Sequence, residues 1–215
     1  MTQLKRRDFA LTATAVVLGI SPAAWAQAVA PVEGRDYVSL NPPIAVAAGG
    51  KIDVIEFFSY GCPHCHSFEP LLEQWVKRLP PDVAFRRVPA AFNASFEGYA
   101  RLFYALEALG QFEALHKRVF TAIHVQRLRL DKEADIVAFA SANGSDGAKL
   151  VEAMKSFGVA TKLRQAKQAV DGYKIDGVPT LGIHGRWFTS GSLTGGNDKA
   201  LAVADVLIQR ARKAG

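Results

Sequence analysis

The apolar positions of the chain follow two spacings, one typical of strands and one typical of helices. Ile52 to Phe58 is a nearly continuous apolar run, which predicts a strand buried on both faces of a helix-covered sheet. Apolar side chains then recur at helical spacing from Phe68 to Val76, and Pro63 suits the first turn of such a helix. Val83 to Val88 predicts a second strand, parallel to the first, so that the three elements form a β-α-β unit.

The middle of the chain is predicted to be helical throughout. The pattern is helical from about Phe96 to Ile123, and Asp131 is a plausible N-cap for a helix through Ala140. Two further helices are predicted near Asp146 to Phe157 and Ala160 to Asp171. A block of roughly 80 residues is too long for a simple crossover between strands, so we interpret it as an inserted helical subdomain.

Strand character returns near the C-terminus. Thr180 to Ile183 and Arg186 to Thr189 predict two strands joined by a tight turn, followed by a last helix that Asn197 or Asp198 caps. A short edge strand is predicted near Tyr37 to Leu40. This order of elements favours an α/β fold, with helices on both faces of a mixed sheet.

The N-terminus has the features of a cleaved export signal. Lys5, Arg6 and Arg7 precede an apolar stretch, Phe9 to Ile20, and Ala24-Trp25-Ala26 is a small-x-small cleavage site. The apolar stretch is shorter than the about 20 residues that span a bilayer, which disfavours a membrane anchor. Arg6-Arg7 also resembles a twin-arginine signal, and we leave that route and the Sec route open. Both routes deliver the chain to an oxidising compartment, expected to be a bacterial periplasm.

Composition and charge narrow the function only slightly. The formal net charge of +6 falls to about +4 without residues 1–26, and the basic residues are scattered, so no nucleic-acid-binding patch is indicated. With 49% hydrophobic residues the chain can form a core without covalent staples. Its only two cysteines, Cys62 and Cys65, are therefore not needed for structure.

A Cys-x-x-Cys pair can bind a metal, form a structural disulfide or carry out redox chemistry. Structural zinc requires four ligands, and neither a second cysteine pair nor a finger-like histidine spacing accompanies Cys62 and Cys65. A disulfide across so short a loop stabilises a fold very little. Cys62 is predicted at a helix N-terminus, where free N–H groups and the nearby His64 favour a thiolate. A stabilised thiolate makes the disulfide form a strong oxidant, so we favour the redox interpretation.

The segment Glu56-Phe57-Phe58-Ser59-Tyr60-Gly61-Cys62-Pro63-His64-Cys65 resembles the active site of the DsbA family of periplasmic thiol:disulfide oxidoreductases. Val178-Pro179-Thr180 resembles the cis-proline loop of that family. The resemblance implies a thioredoxin fold with an inserted helical subdomain. The corresponding divisions are a signal peptide at 1–26, a thioredoxin-like domain at 27–94 and 173–215, and the helical subdomain at 95–172.

The resemblance implies a role for each residue of the cysteine motif. Cys62 is the exposed sulfur that a substrate thiolate attacks, and Cys65 is its more buried partner. Pro63 and His64 tune the pair. Glu56 matches a buried carboxylate that handles the proton of the buried cysteine.

Two further positions follow from the same resemblance. The family can pair its buried glutamate with a lysine, but this chain has Arg86-Arg87 there, and Arg87 is the expected partner of Glu56. An arginine would hold Glu56 ionised and would not itself exchange a proton, which puts a relay of the family's form in doubt. Val178 and Pro179 would lie beside Cys62 and pair with the backbone of an extended substrate.

The resemblance also implies the reaction and its partners. We expect a monomeric dithiol oxidase that acts on unfolded secreted proteins with free thiols and is reoxidised by a membrane quinone reductase of the DsbB type. No flavin, nicotinamide or metal cofactor is implied. Two alternatives stay open: a reductase or isomerase of the same fold, and a peptide-binding chaperone in which the redox pair is incidental.

Overall fold

The computed structural model describes residues 30–214, and in this range the chain forms a mixed sheet with helices on both faces. The strands lie in the order β1-β5-β4-β2-β3, with β2 parallel to β3 and antiparallel to β4. The predicted β-α-β unit and the C-terminal hairpin are thus confirmed. The strands are β1 (Val38–Ser39), β2 (Ile52–Phe58), β3 (Val83–Pro89), β4 (Thr180–Ile183) and β5 (Trp187–Ser190).

Eight helices lie within residues 30–214, and five of them, α2 to α6, come between β3 and β4. The predicted helical block is therefore present, while its boundaries as a separate subdomain stay a prediction. The helices are α1 (Pro63–Val76), α2 (Ala94–Ala108), α3 (Phe112–His124), α4 (Glu133–Ala142), α5 (Gly147–Lys155), α6 (Phe157–Tyr173), α7 (Gly191–Thr194) and α8 (Asn197–Ala214).

Two predictions in the helical block are wrong. The helical stretch from about Phe96 to Ile123 is two helices, because Gly110 adopts a left-handed conformation with φ +66° and ends α2. Asp131 is not an N-cap: α4 begins after Lys132, and the Asp131 carboxylate accepts a hydrogen bond from Arg129 instead. The side-chain partner of Asp131 decided its role, and that partner cannot be deduced from capping preference alone.

The two faces of the sheet carry separate apolar cores. Val54 packs with residues of α1 and α8, including Leu72 and Leu207, on one face. Ile55 and Phe57 pack with the helical block on the other. The alternation of side chains along a strand explains how β2 serves both cores while all of its residues are buried. This arrangement places the end of β2 and the start of α1 where the two cores meet.

The predicted export signal lies outside the described residues. None of the helices in residues 30–214 is both long enough and apolar enough to cross a membrane.

Candidate active site

The cysteine motif lies at the turn from β2 to α1. Cys62 is the N-cap of α1, with an extended backbone, and Pro63 occupies the first helical turn, as predicted. The Cys62 N–H donates to the carbonyl of Ser59 at 3.1 Å, which closes the turn. Gly61 allows the helical block to approach, since a Cβ atom there would lie 2.9 Å from the ring of Tyr99. The turn is thus held against both the sheet and the helical block.

Both cysteines are free thiols and both are enclosed by the fold. Cys65 is fully buried, and Cys62 retains 7% of its surface. Cys62 is the more accessible sulfur, as expected, but it is less exposed than the sequence indicated. One reason is that the Val178 carbonyl covers the sulfur, with 3.4 Å between Sγ and O.

The two thiols have opposite acidities. The pKa of Cys62 is lowered to about 6, first by a hydrogen bond from the Cys65 side chain. Burial opposes this shift, but the backbone N–H groups of Cys65 and His64 and the charge of the exposed His64 ring lower the pKa further. Burial raises the pKa of Cys65 far above its usual range. At neutral pH the pair therefore consists of one thiolate and one thiol.

The loop before β4 completes the surface around Cys62. The Val178–Pro179 peptide bond is cis, as the resemblance implies. Both residues are half-buried, and with His64 they line an open cavity of about 350 Å³ whose other walls include Gly191 and Gly195. This places Val178, Pro179 and the cysteine motif together, although more than a hundred residues separate them in sequence.

The predicted pairing of Glu56 with Arg87 is present. Arg87 Nε donates to Glu56 Oε2 at 2.9 Å, while Arg86 pairs with Asp53 instead. The expectation that an arginine holds Glu56 ionised is wrong. Complete burial raises the pKa of Glu56 to about 8, and the attraction of Arg87 offsets only part of this effect. Glu56 is therefore mostly protonated at neutral pH.

Glu69 explains why Arg87 does not keep Glu56 ionised. The Arg87 guanidinium also donates to the Glu69 carboxylate, so two buried carboxyl groups share one cation. Burial alone would raise the pKa of Glu69, but contacts with His116 and Arg87 outweigh it and lower that pKa. The negative charge of Glu69 in turn raises the pKa of Glu56. The pair thus holds one proton, and it resides on Glu56.

Sequence reasoning missed Glu69 and the surroundings of His116. Glu69 lies among apolar side chains on the buried face of α1, next to Phe68 and close to Leu72, which is an available sequence signal. His116 of α3 is buried, with Nε2 3.2 Å from Glu69 Oε1 and Nδ1 2.8 Å from the hydroxyl of Tyr60.

The fold and this geometry define a class of protein. A Cys-x-x-Cys pair at a helix N-terminus, one thiol acidic and one buried, next to a cis-proline loop on a mixed sheet, is the arrangement of thioredoxin-fold thiol:disulfide oxidoreductases.

Comparisons with known proteins agree with this class. Residues 84–202 match the model of the DSBA-like thioredoxin domain. The chain is 41% identical over 209 residues to the thiol:disulfide interchange protein DsbA of Bordetella parapertussis, covering 96% of this chain and 97% of that protein. A DsbA of Pseudomonas syringae pv. tomato is 41% identical over 191 residues, covering 88% and 89%.

A solved structure gives the same result. The crystal structure of Pseudomonas aeruginosa DsbA superposes with a TM-score of 0.81 at 36% identity and covers 84% of this chain and 94% of that one. The chain belongs to the DsbA family. It has the family's thioredoxin fold with a helical region inserted, and it is a protein-disulfide oxidoreductase.

Proposed function

We propose that this chain is a dithiol oxidase that passes a Cys62–Cys65 disulfide to exported proteins with free thiols. The observation that carries this direction is the opposite acidity of the two thiols. The pKa of Cys62, about 6, means that the reduced form is stabilised as a thiolate at neutral pH. A stabilised reduced form makes the disulfide a strong oxidant, so electrons flow from client to enzyme.

The first step is the attack of a client thiolate on Cys62 Sγ. The Cys62–Cys65 bond breaks, a mixed disulfide forms at Cys62, and the Cys65 sulfur leaves with the electron pair. Because burial raises the pKa of Cys65 so far, its sulfur must receive a proton as it leaves. Glu56, protonated at neutral pH, is the proposed donor of this proton.

The second step releases the oxidised client. A second client thiolate attacks the client sulfur of the mixed disulfide, and Cys62 leaves as a thiolate, which its low pKa favours. The client has lost two electrons and two thiol protons. The enzyme has gained the electrons and one proton, on Cys65, and the other proton goes to solvent.

The loop before β4 supports a broad choice of clients. We propose that the backbone of Val178, next to the cis Pro179, pairs with an extended client segment beside Cys62. Backbone pairing of this kind does not depend on the client's side chains. Pro63 and His64, both exposed beside Cys62, are proposed to tune the pair and to face the bound segment.

The remaining parts of the proposal concern the cellular setting. We propose that residues 1–26 are removed on export, by the Sec or the twin-arginine route, and that the enzyme acts in the periplasm as a monomer. The domain divisions at 27–94, 95–172 and 173–215 belong to the same proposal. A membrane quinone reductase of the DsbB type is proposed to return the enzyme to its disulfide form.

The test is the oxidation of a reduced two-cysteine peptide by the oxidised protein. One equivalent of protein should oxidise one equivalent of peptide, and Cys62→Ser should abolish the reaction. Cys65→Ser also lacks the enzyme disulfide and should not oxidise the peptide, but its Cys62 thiolate should attack glutathione disulfide, release one glutathione thiolate and retain the other glutathione as a mixed disulfide. A reduction potential as low as that of a cytosolic thioredoxin would contradict an oxidase and favour the reductase alternative.

A further inference from the structure

One face of α3 carries three rings that lie beside the active-site turn. His116, Phe120 and His124 are spaced four residues apart, so they form a continuous row, which we call the α3 stripe. The ring of Tyr60 lies along this row, with centroids 5.3 Å from His116 and 5.0 Å from Phe120. Tyr60 stands two residues before Cys62, so the stripe contacts the chain just ahead of the reactive sulfur.

The α3 stripe forms hydrogen bonds with both the side chain and the backbone of Tyr60. At one end, the Tyr60 hydroxyl lies 2.8 Å from His116 Nδ1. At the other end, the Tyr60 backbone carbonyl lies 2.7 Å from His124 Nε2. Side chain and backbone of a single residue are thus bonded to the same helix, which leaves the turn before Cys62 little freedom to shift.

The partners determine where the hydrogens lie. A carbonyl oxygen only accepts, so His124 Nε2 must carry the proton that it donates to Tyr60. Glu69 Oε1 lies 3.2 Å from His116 Nε2 without forming a well-aligned hydrogen bond, and the negative charge of this carboxylate favours a proton on Nε2 of the neutral ring. His116 Nδ1 is then left to accept the Tyr60 hydroxyl proton. One tautomer of each ring therefore satisfies both hydrogen bonds to Tyr60.

The stripe also contacts the chain after the second cysteine. The His66 ring stacks on His124, with 5.1 Å between centroids and 11° between planes, and on Phe120 at 5.7 Å and 26°. His66 directly follows Cys65 in α1. The same row of rings therefore fixes both sides of the Cys-x-x-Cys segment.

We propose that the α3 stripe positions Cys62 by clamping Tyr60, and that His124 and His116 are positioning residues for the disulfide exchange. This inference rests on the proposed function. The Cys62 thiolate is stabilised only while its sulfur stays near the N–H groups of His64 and Cys65. The path from Tyr60 through Gly61 to Cys62 sets that placement, and α3 holds its first residue.

The proposal gives the helical block a part in the chemistry. If the clamp is released, the sulfur moves away from the helix N-terminus, the thiolate loses stabilisation and the disulfide becomes a weaker oxidant. A phenyl ring at position 124 would keep the packing against His66 but could not donate a hydrogen bond to the Tyr60 carbonyl. The hydrogen bond and the ring can therefore be tested separately.

The test compares His124→Phe with His124→Gln. Phe keeps a ring against His66 but cannot donate, whereas the Gln amide can still donate to the Tyr60 carbonyl. In His124→Phe we expect the pH midpoint of the 240 nm thiolate absorbance to rise. We also expect the equilibrium constant for oxidising reduced glutathione to fall about threefold. In His124→Gln the thiolate midpoint and the equilibrium constant should both return most of the way to the wild-type values. Tyr60→Phe removes only the hydrogen bond to His116 and should give about half of the His124→Phe effect on a logarithmic scale.

The control is Val119→Ala, which removes buried methyl groups from the same helix without removing a hydrogen bond. It should lower the melting temperature and leave the thiolate midpoint unchanged. A His124→Phe variant with wild-type midpoint and equilibrium constant overturns the proposal, as does Val119→Ala shifting both equally. Peptide oxidation by the wild type tests the oxidase function separately, because these midpoints can be measured whichever way the enzyme runs.

Discussion

Strand β2 carries two buried carboxyl groups, those of Asp53 and Glu56, three residues apart and on opposite faces of the sheet. Each pairs with an arginine of β3, and the two arginines are neighbours in sequence. Arg86 donates two hydrogen bonds to Asp53, from Nε to Oδ1 at 2.9 Å and from Nη2 to Oδ2 at 3.1 Å. Both Asp53 oxygens are thus used, and half of the Arg86 side chain remains in water.

The pair on the other face is built differently. Arg87 is only 12% exposed and makes one hydrogen bond to Glu56, through Nε, while its Nη2 donates to Glu69. One oxygen of Glu56 accepts no hydrogen bond from the described residues. Two hydrogen bonds and contact with water stabilise the charges of the Arg86–Asp53 pair. Glu56 is buried and shares Arg87 with Glu69, so its carboxyl group stays protonated. The number of bonds and the access of water, rather than the residue types, separate a structural pair from a proton site.

The largest expected difference between the two pairs is in the unfolding free energy lost when each arginine is replaced. Arg87→Met should cost about 3–5 kcal/mol of unfolding free energy, because it leaves buried carboxyl groups without their cation. Arg86→Met should cost about 1 kcal/mol, because water screens the exposed half of that pair. Urea denaturation at pH 7 measures both. Equal losses would mean that the two pairs are energetically alike and would remove the contrast.

Next in size is the pH dependence of stability. The pKa of Glu56 rises from 4.5 to about 8 on folding, so the folded state binds more protons than the unfolded state between these values. The resulting stability is full below pH 4.5 and is lost as pH rises through 8, by about 2–4 kcal/mol. We expect this downward slope in the oxidised protein, where the thiols do not titrate.

Two variants isolate the source of that slope. Glu56→Gln should flatten it, because an amide does not ionise. Asp53→Asn should retain it, because Glu56 is intact. If unfolding measured from pH 5 to 9 shows the same slope in Glu56→Gln as in the wild type, another group is responsible.

A smaller effect is expected on the rate of exchange. Glu56→Gln removes the proposed proton donor for Cys65, so reduction of the enzyme by a client peptide at pH 7 should slow about tenfold. Asp53→Asn should react at the wild-type rate. Stopped-flow measurements under single-turnover conditions would report both. An unchanged rate in Glu56→Gln would assign the proton to another source.

The smallest effect concerns the acidity of Cys62. Glu56 is already uncharged when Cys62 titrates at about 6, so Glu56→Gln should move the pKa of Cys62 by no more than about 0.3. The 240 nm absorbance of the reduced protein measures this. A drop of a full unit would show that Glu56 is ionised at pH 6 and that Arg87 behaves like Arg86 after all.

Much of the fold could be predicted from the sequence because the signals are local. The nearly continuous apolar run of β2, the proline after Cys62 and the breaks around the hairpin each act over a few residues, and each is confirmed. The motif around Cys62 and the Val178–Pro179 loop could be predicted from the family resemblance. The errors, at Gly110 and Asp131, concern where helices begin and end: the left-handed φ of Gly110 ends α2, and Arg129, two residues before Asp131, engages the carboxylate that capping would need.

The chemistry of the site depended on contacts that no local pattern contains. The sequence by itself determined the thiol pair, its place at a helix start and the arginine opposite Glu56. Only the tertiary structure brought Glu69 to Arg87 and α3 to Tyr60. Burial raises the pKa of Glu56 and the charge of Arg87 lowers it, so the direction of the pKa shift depends on how many carboxylates share that arginine.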